Sequence, residues 1–503
     1  MKKGSYKWFA LSVTSLGLLL SIMTGTALLI ALPTIAGDLQ SSIILIIWAL
    51  MGYMLATTVL VPSIGRVADM IGRKKLFVWG GIVFVIGSLL AGMSQSGTDL
   101  LLTRIIQAIG GSLLIANSAA IVTDAFPKNQ LGMALGINGM LIAVGSAIGP
   151  IIGGILTVTI GWRWIFYINI PFAALITILG IIWLKDVDKT SKGEKFDWAG
   201  AISFTAGMFF LLYALTQGAI GSWSSPEVIA SFVLAAILLP LFIAIESRVK
   251  NPMLDLKLFR TKVQSSAYVS SFLNGIARGA LIFLLIFYLL GIKNMDPFTA
   301  SLYLIPFAAA MMIISPISGR ISDRHGSRIL SALGLLITGI GFLGLAIFIR
   351  ENMAPLEIVL WAALVGLGSG IFNSPNTNLI MRNVPPERRG IAAGTRTMMN
   401  NAGSVISIAV AFVILSSGLT QQAMNALFVG EQINGRGIFV STFLSDLRVA
   451  FFVSFIIGII AAAISFFGGK QKGKSSPEEI RKSKRQDFKR PKVQSPHEKR
   501  IFG

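Results

Sequence analysis

Apolar runs long enough to cross a lipid bilayer recur along the whole chain, and they restrict the fold more than any other feature. A hydrocarbon core about 30 Å thick takes about 20 apolar residues in a helix rising about 1.5 Å per residue. Fourteen runs reach that length, from a first near 8–33 to a last near 447–467. Lipid offers no partners to backbone N–H and C=O groups, so each run is read as a helix. Composition agrees: of 503 residues, 54% are hydrophobic and 13% charged, whereas a soluble domain carries about 25% charge. The expected fold class is an all-α polytopic membrane protein. Lys2, Lys3 and Lys7 give the first run the look of a signal peptide. It is too long for an h-region and lacks an A-x-A site, so it is read as a span. There are no Cys, and the two His, His325 and His497, lie outside the apolar runs. That excludes a disulfide framework, a thiolate metal site and an intramembrane histidine relay.

The charge is lopsided, 43 Lys+Arg against 22 Asp+Glu, for a net +21. Such an excess usually suggests nucleic acid. Its placement suggests topology instead. With the N-terminus inside, 35 of the 43 basic residues fall on the cytoplasmic side, 12 of them in the tail from Gly468. That is the positive-inside pattern, and an even span count returns the tail to the same side. The expectation is a multi-pass protein of the cell membrane with both termini cytoplasmic. Its partners are the bilayer, anionic headgroups and a small molecule, not nucleic acid. Three basic residues remain inside spans: Arg104, Arg278 and Arg396. By these boundaries no carboxylate lies well inside one; Asp38, Asp99, Asp124, Glu246, Asp296 and Glu357 sit at span ends.

The chain also repeats itself. Gly65, Asp69, Gly72 and Arg73 follow the second span; Gly319, Asp323, Gly326 and Arg328 follow the tenth at matching spacing. Pro127 and Gly132 before the fifth span recur as Pro385 and Gly390 before the thirteenth. Two signatures at nearly one offset argue for duplicated halves. The division is 6+2+6: a half over 1–184, an inserted two-helix segment over 185–262, a second half over 263–467 and a basic tail over 468–503. Parallel pseudo-twofold halves are a transporter plan with substrate bound between them.

In the repeated loop, Gly65 and Gly72 permit a tight turn. Asp69 can sit at a helix N-terminus, a contact made in one conformation and broken in another. In the fifth span Gly145, Gly149, Gly153 and Gly154 clear one face, and Pro150 frees a carbonyl and kinks the helix. Polar residues recur at helical spacing: Thr24 in the first span, Arg104 and Gln107 in the fourth, and Asn274 and Arg278 in the ninth. Asn373 and Asn376 follow in the twelfth, Arg396 and Asn400 in the thirteenth. Polar stripes in lipid face other helices or a wet cavity, and an intramembrane Arg is a site candidate.

Together these motifs resemble the major facilitator superfamily, specifically its fourteen-helix drug:proton antiporters. Gly65-x-x-x-Asp69-x-x-Gly72-Arg73-Lys74 is similar to the superfamily's loop signature. Leu101-Leu102-Thr103-Arg104-Ile105-Ile106-Gln107 is similar to its fourth-helix signature, with Ala108 where glycine is usual. Gly145-x-x-x-Gly149-Pro150-x-x-Gly153-Gly154 resembles the antiporter signature, and Trp162 to Pro171 the entry to the sixth helix. The resemblance spans about 8–467. It implies a secondary exporter of amphiphilic small molecules that works by alternating access. It also implies a monomeric transport unit with no cofactor, energised by the proton-motive force.

One departure matters. The family's first helix usually carries an Asp, a candidate proton carrier and cation contact, and later an Asn; here those positions are Thr24 and Leu29. Arginine stays protonated at ordinary pH and cannot replace that Asp as a proton carrier. A positive cavity is expected, favouring anionic, zwitterionic or neutral amphiphiles. Proton coupling would then use a rim carboxylate such as Asp38, Asp99 or Asp124, or a proton on the substrate. The alternatives are an exporter, facilitator or importer of anionic or zwitterionic metabolites or lipids, and a non-transporting sensor. An enzyme would need intramembrane nucleophile, base or metal ligands that the spans lack. Gly468 to Ser475 matches a phosphate-binding-loop pattern, but no α/β context surrounds it.

Overall fold

The structure is a computed structural model. It describes residues 3–127, 131–185, 197–220, 222–249, 252, 254–384, 389–417 and 436–468. The phosphate-loop-like stretch, nearly all of the basic tail and most of the longest outer loop lie outside the described residues. So do the side chains of Asp69 and Asp323. Among the described residues there are fourteen helices long and apolar enough to cross a membrane and no strand. They are α1 (Lys3–Asp38), α2 (Ile43–Ile71), α3 (Arg73–Gly92), α4 (Gly97–Ala125), α5 (Leu131–Thr159), α6 (Trp164–Trp183), α7 (Trp198–Ile220) and α8 (Pro226–Arg248), followed by α9 (Lys262–Ile292), α10 (Pro297–Ser322), α11 (Ser327–Phe348), α12 (Pro355–Arg382), α13 (Arg389–Ser417) and α14 (Arg436–Phe467). Side-chain oxygens cap several starts: Ser42 accepts from Leu45 N–H, Ser96 from Asp99, Thr261 from Gln264 and Asp296 from Thr299. Each satisfies one of the N–H groups a helix start leaves unpaired. Asp296 lies outside the spans, and the Thr299 bonds hold its carboxyl below the usual carboxylate range.

Two expectations need correction. The last helix begins at Arg436, not near Leu447. The polar turn at Ser445–Arg448 interrupts the hydropathy but not the helix, because Arg448 there bonds the Ile349 carbonyl at 3.0 Å. Asp446 therefore lies inside α14 with one oxygen buried, so a carboxylate does sit within a span. The loop signature also turns at one glycine, not two. Gly65 is inside α2 with nothing near its α-carbon, whereas Gly72 has φ +118° and closes α2 by donating to Ala68 O. Gly326 repeats this geometry after α10 at φ +94°, donating to Ser322 O.

The repeat carries through to packing. α5 lies on α1 and α13 on α9. A Cβ at Gly145 would sit 3.2 Å from the Leu19 carbonyl, and one at Gly403 would run into the Phe272 carbonyl. That register makes Gly25 the counterpart of Arg278, and the offset between the loops before α5 and α13 makes Asn138 the counterpart of Arg396. The halves differ in α9, whose α-helical hydrogen bonding ends at Gly279, resumes at Leu281 and closes with a π turn at Tyr288–Ile292. Ser407 of α13 accepts the Ala280 N–H at the break, 3.0 Å away. Breaks of this kind cluster at functional sites.

The apolar core is also uneven along the membrane normal. At the end away from the start of α1 (the far end), one cluster joins both halves: Ile30, Ile46 and Leu50 pack with Phe283, Phe287, Val365 and Phe412. At the near end, where α1 starts and α14 finishes, the clusters stay within halves. Val13, Phe77, Phe84 and Leu114 belong to one; Tyr268, Leu379 and Ile380 to the other. The halves still touch there along α2 and α13, where Gly394 meets Pro62. The inserted α7 lies over that seam, with Phe209 against Trp48 of α2 at 5.6 Å between ring centroids and further contacts to α13.

Candidate functional site

In the first half the polar residues are sealed. Thr24 is fully buried, its hydroxyl 3.0 Å from Asn169 Oδ1 of α6 and 2.8 Å from the Leu20 carbonyl. Arg104 has no exposed surface, so it does not snorkel to the rim. Its guanidinium donates to Gln107 Oε1 at 2.6 Å, and Gln107 donates on to Ser88 Oγ at 2.8 Å. The Tyr53 ring covers it at 4.1 Å, a cation–π contact. Nε and the second terminal nitrogen have no acceptor. Asn138 of α5 completes this side, accepting from Ser15 at 2.8 Å. Tyr53, Asn138 and Asn169 were not singled out in the sequence. Asn138 and Asn169 carry the one available signal, an amide within an apolar run.

The second half holds the other two arginines under different conditions. Arg396 donates to Asn373 Oδ1 at 2.9 Å, and its Nε is buried without an acceptor. Arg278 makes no hydrogen bond or ion pair among the described residues, and its charge acts against that of Arg396. Both are half-buried, and their terminal nitrogens are not enclosed. Around them, Asn376 donates to Ser271 Oγ at 2.6 Å and Asn400 to the Ser271 carbonyl at 3.3 Å. Asn274 and Tyr268 are fully buried, and among the described residues neither the Asn274 amide nor the Tyr268 hydroxyl has a partner. Structure thus gathers Asn274, Arg278, Asn373, Asn376, Arg396 and Asn400 into one cluster on α9, α12 and α13. Arg104, Gln107 and Thr24 belong to the first half, apart from it.

The glycine-rich face of α5 does two jobs. Cβ atoms at Gly149 and Gly153 would collide with the Met23 and Ala27 carbonyls of α1, so these glycines let α1 and α5 pack closely. A Cβ at Gly154 would lie 2.6 Å from the Pro297 carbonyl and 3.1 Å from Ser301 Oγ, both in the second half. Gly154 is therefore part of the far-end seal. α5 stays helical through Pro150, which has no N–H to donate to the Ser146 carbonyl one turn before it. In the loop signatures, Arg73 reaches α4, bonding Asp124 at 2.5 Å and the Ala120 carbonyl at 3.0 Å. Arg328 instead reaches α14, donating to the Phe466 carbonyl and lying over that ring. A Cβ at Gly319 would meet Ser374 Oγ at 2.6 Å. Of the rim carboxylates, Asp124 holds Arg73, Asp38 holds Trp162 Nε1 and Arg163 at 2.9 and 2.6 Å, and Asp99 is exposed.

Two repeated bundles joined by apolar packing at one end, with polar residues held between helices, define a membrane transporter. The chain belongs to the Major Facilitator Superfamily, whose family model matches residues 14–250 and 267–497. It is 31% identical over 415 residues to the riboflavin transporter RibZ of Clostridioides difficile (strain 630), covering 82% of this chain and 89% of that protein. It is 26% identical over 505 residues to the tetracenomycin C resistance and export protein of Streptomyces glaucescens, covering 94% of each. It is 29% identical over 437 residues to multidrug resistance protein 3 of Bacillus subtilis (strain 168), covering 85% and 83%. The fold is shared with the human organic anion transporter MFSD10 (TETRAN), at 14% identity and TM-score 0.59 over 90% of this chain and 99% of that one. It is also shared with a bacterial homolog of the human lysosomal transporter Spinster, inward-facing and unoccupied. There the identity is 16% and the TM-score 0.62, over 92% of this chain and 97% of that one.

Proposed function

We propose that this protein exports amphiphilic small molecules across the cell membrane by alternating access, with both termini in the cytoplasm and the proton-motive force as energy source. The observation that carries this reading is the apolar core that joins α1 and α2 to α9, α12 and α13 at the far end, while the near-end clusters around Phe77 and Tyr268 each stay within one half. With the termini inside, the sealed end is external, and substrate enters from the cytoplasm or inner leaflet. Separation of Gly154 from Pro297 and closure of the near end would then release it outside. The export direction is supported by the glycine-proline face of α5 and by relatives described as resistance and export proteins.

The test is efflux from proteoliposomes holding purified protein under an imposed pH gradient, assayed with probes of different charge. Protein-dependent efflux that collapses with the gradient supports the reading. Transport unaffected by the gradient would favour the second reading, a facilitator of anionic or zwitterionic metabolites or lipids. The replacement of the family's first-helix Asp by Thr24, buried against α6, is the observation on that side.

A further inference from the structure

We infer that the substrate carries an anionic group (carboxylate, phosphate or sulfonate) held between Arg278 and Arg396, while its apolar body lies against the first half, whose intramembrane Arg104 is enclosed. This rests on the transport reading and deepens it. Two guanidiniums that repel one another inside a membrane are costly unless something neutralises them. Among the described residues nothing does: Arg278 has no hydrogen-bond or ion-pair partner, and Arg396 bonds only a neutral amide. The described carboxylates on α12 and α14 lie toward the far end. Glu357 is bound to Arg350 at 2.9 Å. Asp446 is placed by the Ser270–Ala461 contact, which sets it two turns, about 10 Å, beyond Arg278.

The neighbours are those an oxyanion needs. The Asn274 amide, about one turn before Arg278, is a fully buried donor with no partner among the described residues, and the Tyr268 hydroxyl, also buried and unpartnered there, lies about three turns from Arg278 on the side of Arg396. The break at Gly279–Ala280 lies one residue from it. Planar guanidiniums can grip a carboxylate or phosphate through paired hydrogen bonds, which an ammonium does not reproduce.

The internal repeat supplies an independent argument. The position equivalent to Arg278 across the pseudo-twofold is Gly25, and the one equivalent to Arg396 is Asn138. Both are neutral, and Asn138 is already bonded to Ser15. Open charge thus lies on one side of a duplicated layer, which orients a bound amphiphile with its anionic head toward α9 and α13.

The experiment uses two probes with one ring system and opposite charge, fluorescein and rhodamine 123. Binding to purified full-length protein in nanodiscs of uncharged lipid is read by anisotropy, and efflux is read separately in proteoliposomes. Fluorescein is expected to bind at least about tenfold tighter than rhodamine 123. Arg278→Gln and Arg396→Gln should each weaken fluorescein about tenfold or more. Arg278→Lys should restore part of the loss, and Ile182→Ala on the lipid-facing side of α6 should change nothing. Thermal unfolding of each variant in the same nanodiscs separates lost binding from lost fold. Equal binding of the two probes, or wild-type fluorescein affinity in a folded Arg278→Gln variant, overturns the inference. Fluorescein bound as expected but never transported would sink the transport reading and leave the anion site standing. Rhodamine 123 exported without fluorescein binding would do the reverse.

Discussion

Of three arginines in one membrane protein, one is enclosed and two are open, and the roles expected of them differ accordingly. Arg104 is sealed by Tyr53 and shares one hydrogen bond with Gln107. A buried guanidinium with unsatisfied nitrogens does not stabilise a fold, and apolar replacements of buried charges are often neutral or stabilising. Arg104→Met is therefore expected to unfold at the wild-type temperature or above and to lose at least about tenfold in efflux rate, consistent with a default functional role for intramembrane charge. Lower thermal stability with intact efflux would make Arg104 structural. The three arginines were legible in the sequence because a charge inside an apolar run stands out. Their surroundings were not. Tyr53, Asn169 and Tyr268 acquire meaning only when helices distant in sequence are brought together. Asp446 was misplaced because a hydropathy window ends where a helix need not.

At the scale of elements, glycines that look alike in sequence separate by geometry. Gly65 has room for a methyl group in an ordinary helix, so Gly65→Ala should leave thermal stability unchanged or slightly raised. Gly72, at φ +118°, cannot take a side chain without strain. Gly72→Ala should cost about 1–3 kcal/mol, seen as a lowered unfolding temperature in the same detergent. Between α3 and α4 a Cβ at Gly87 would meet the Gln107 backbone at 2.5 Å. Gly87→Val should destabilise by about 1–3 kcal/mol through overpacking. Equal responses at Gly65 and Gly72 would mean that the loop does not turn as described. The fourteen helices were readable because each must be apolar for about 20 residues. The interruption of α9 at Gly279 was not, because it depends on Ser407 of α13 taking the Ala280 N–H.

For the whole molecule, the repeated loop signatures suggest duplicated halves, whereas nothing in the sequence signals the state of the two ends. A sequence that alternates must support two packings within a few kcal/mol of one another, and pattern alone does not say which is populated. Topology can be checked directly. A tag after Gly503 should be reached by protease only in permeabilised cells, and cleavage in intact cells would invert the orientation and the export direction. The central claim is that the halves must separate at the far end for transport to occur. The chain has no Cys, so Gly154→Cys with Ser301→Cys places a single disulfide-competent pair across the seal, where a Cβ at Gly154 comes within 3.1 Å of Ser301 Oγ. Probe efflux from proteoliposomes is measured with the pair oxidised and again after reduction. Alternating access predicts that oxidation stops efflux and reduction restores it; undiminished efflux with the disulfide intact would contradict it.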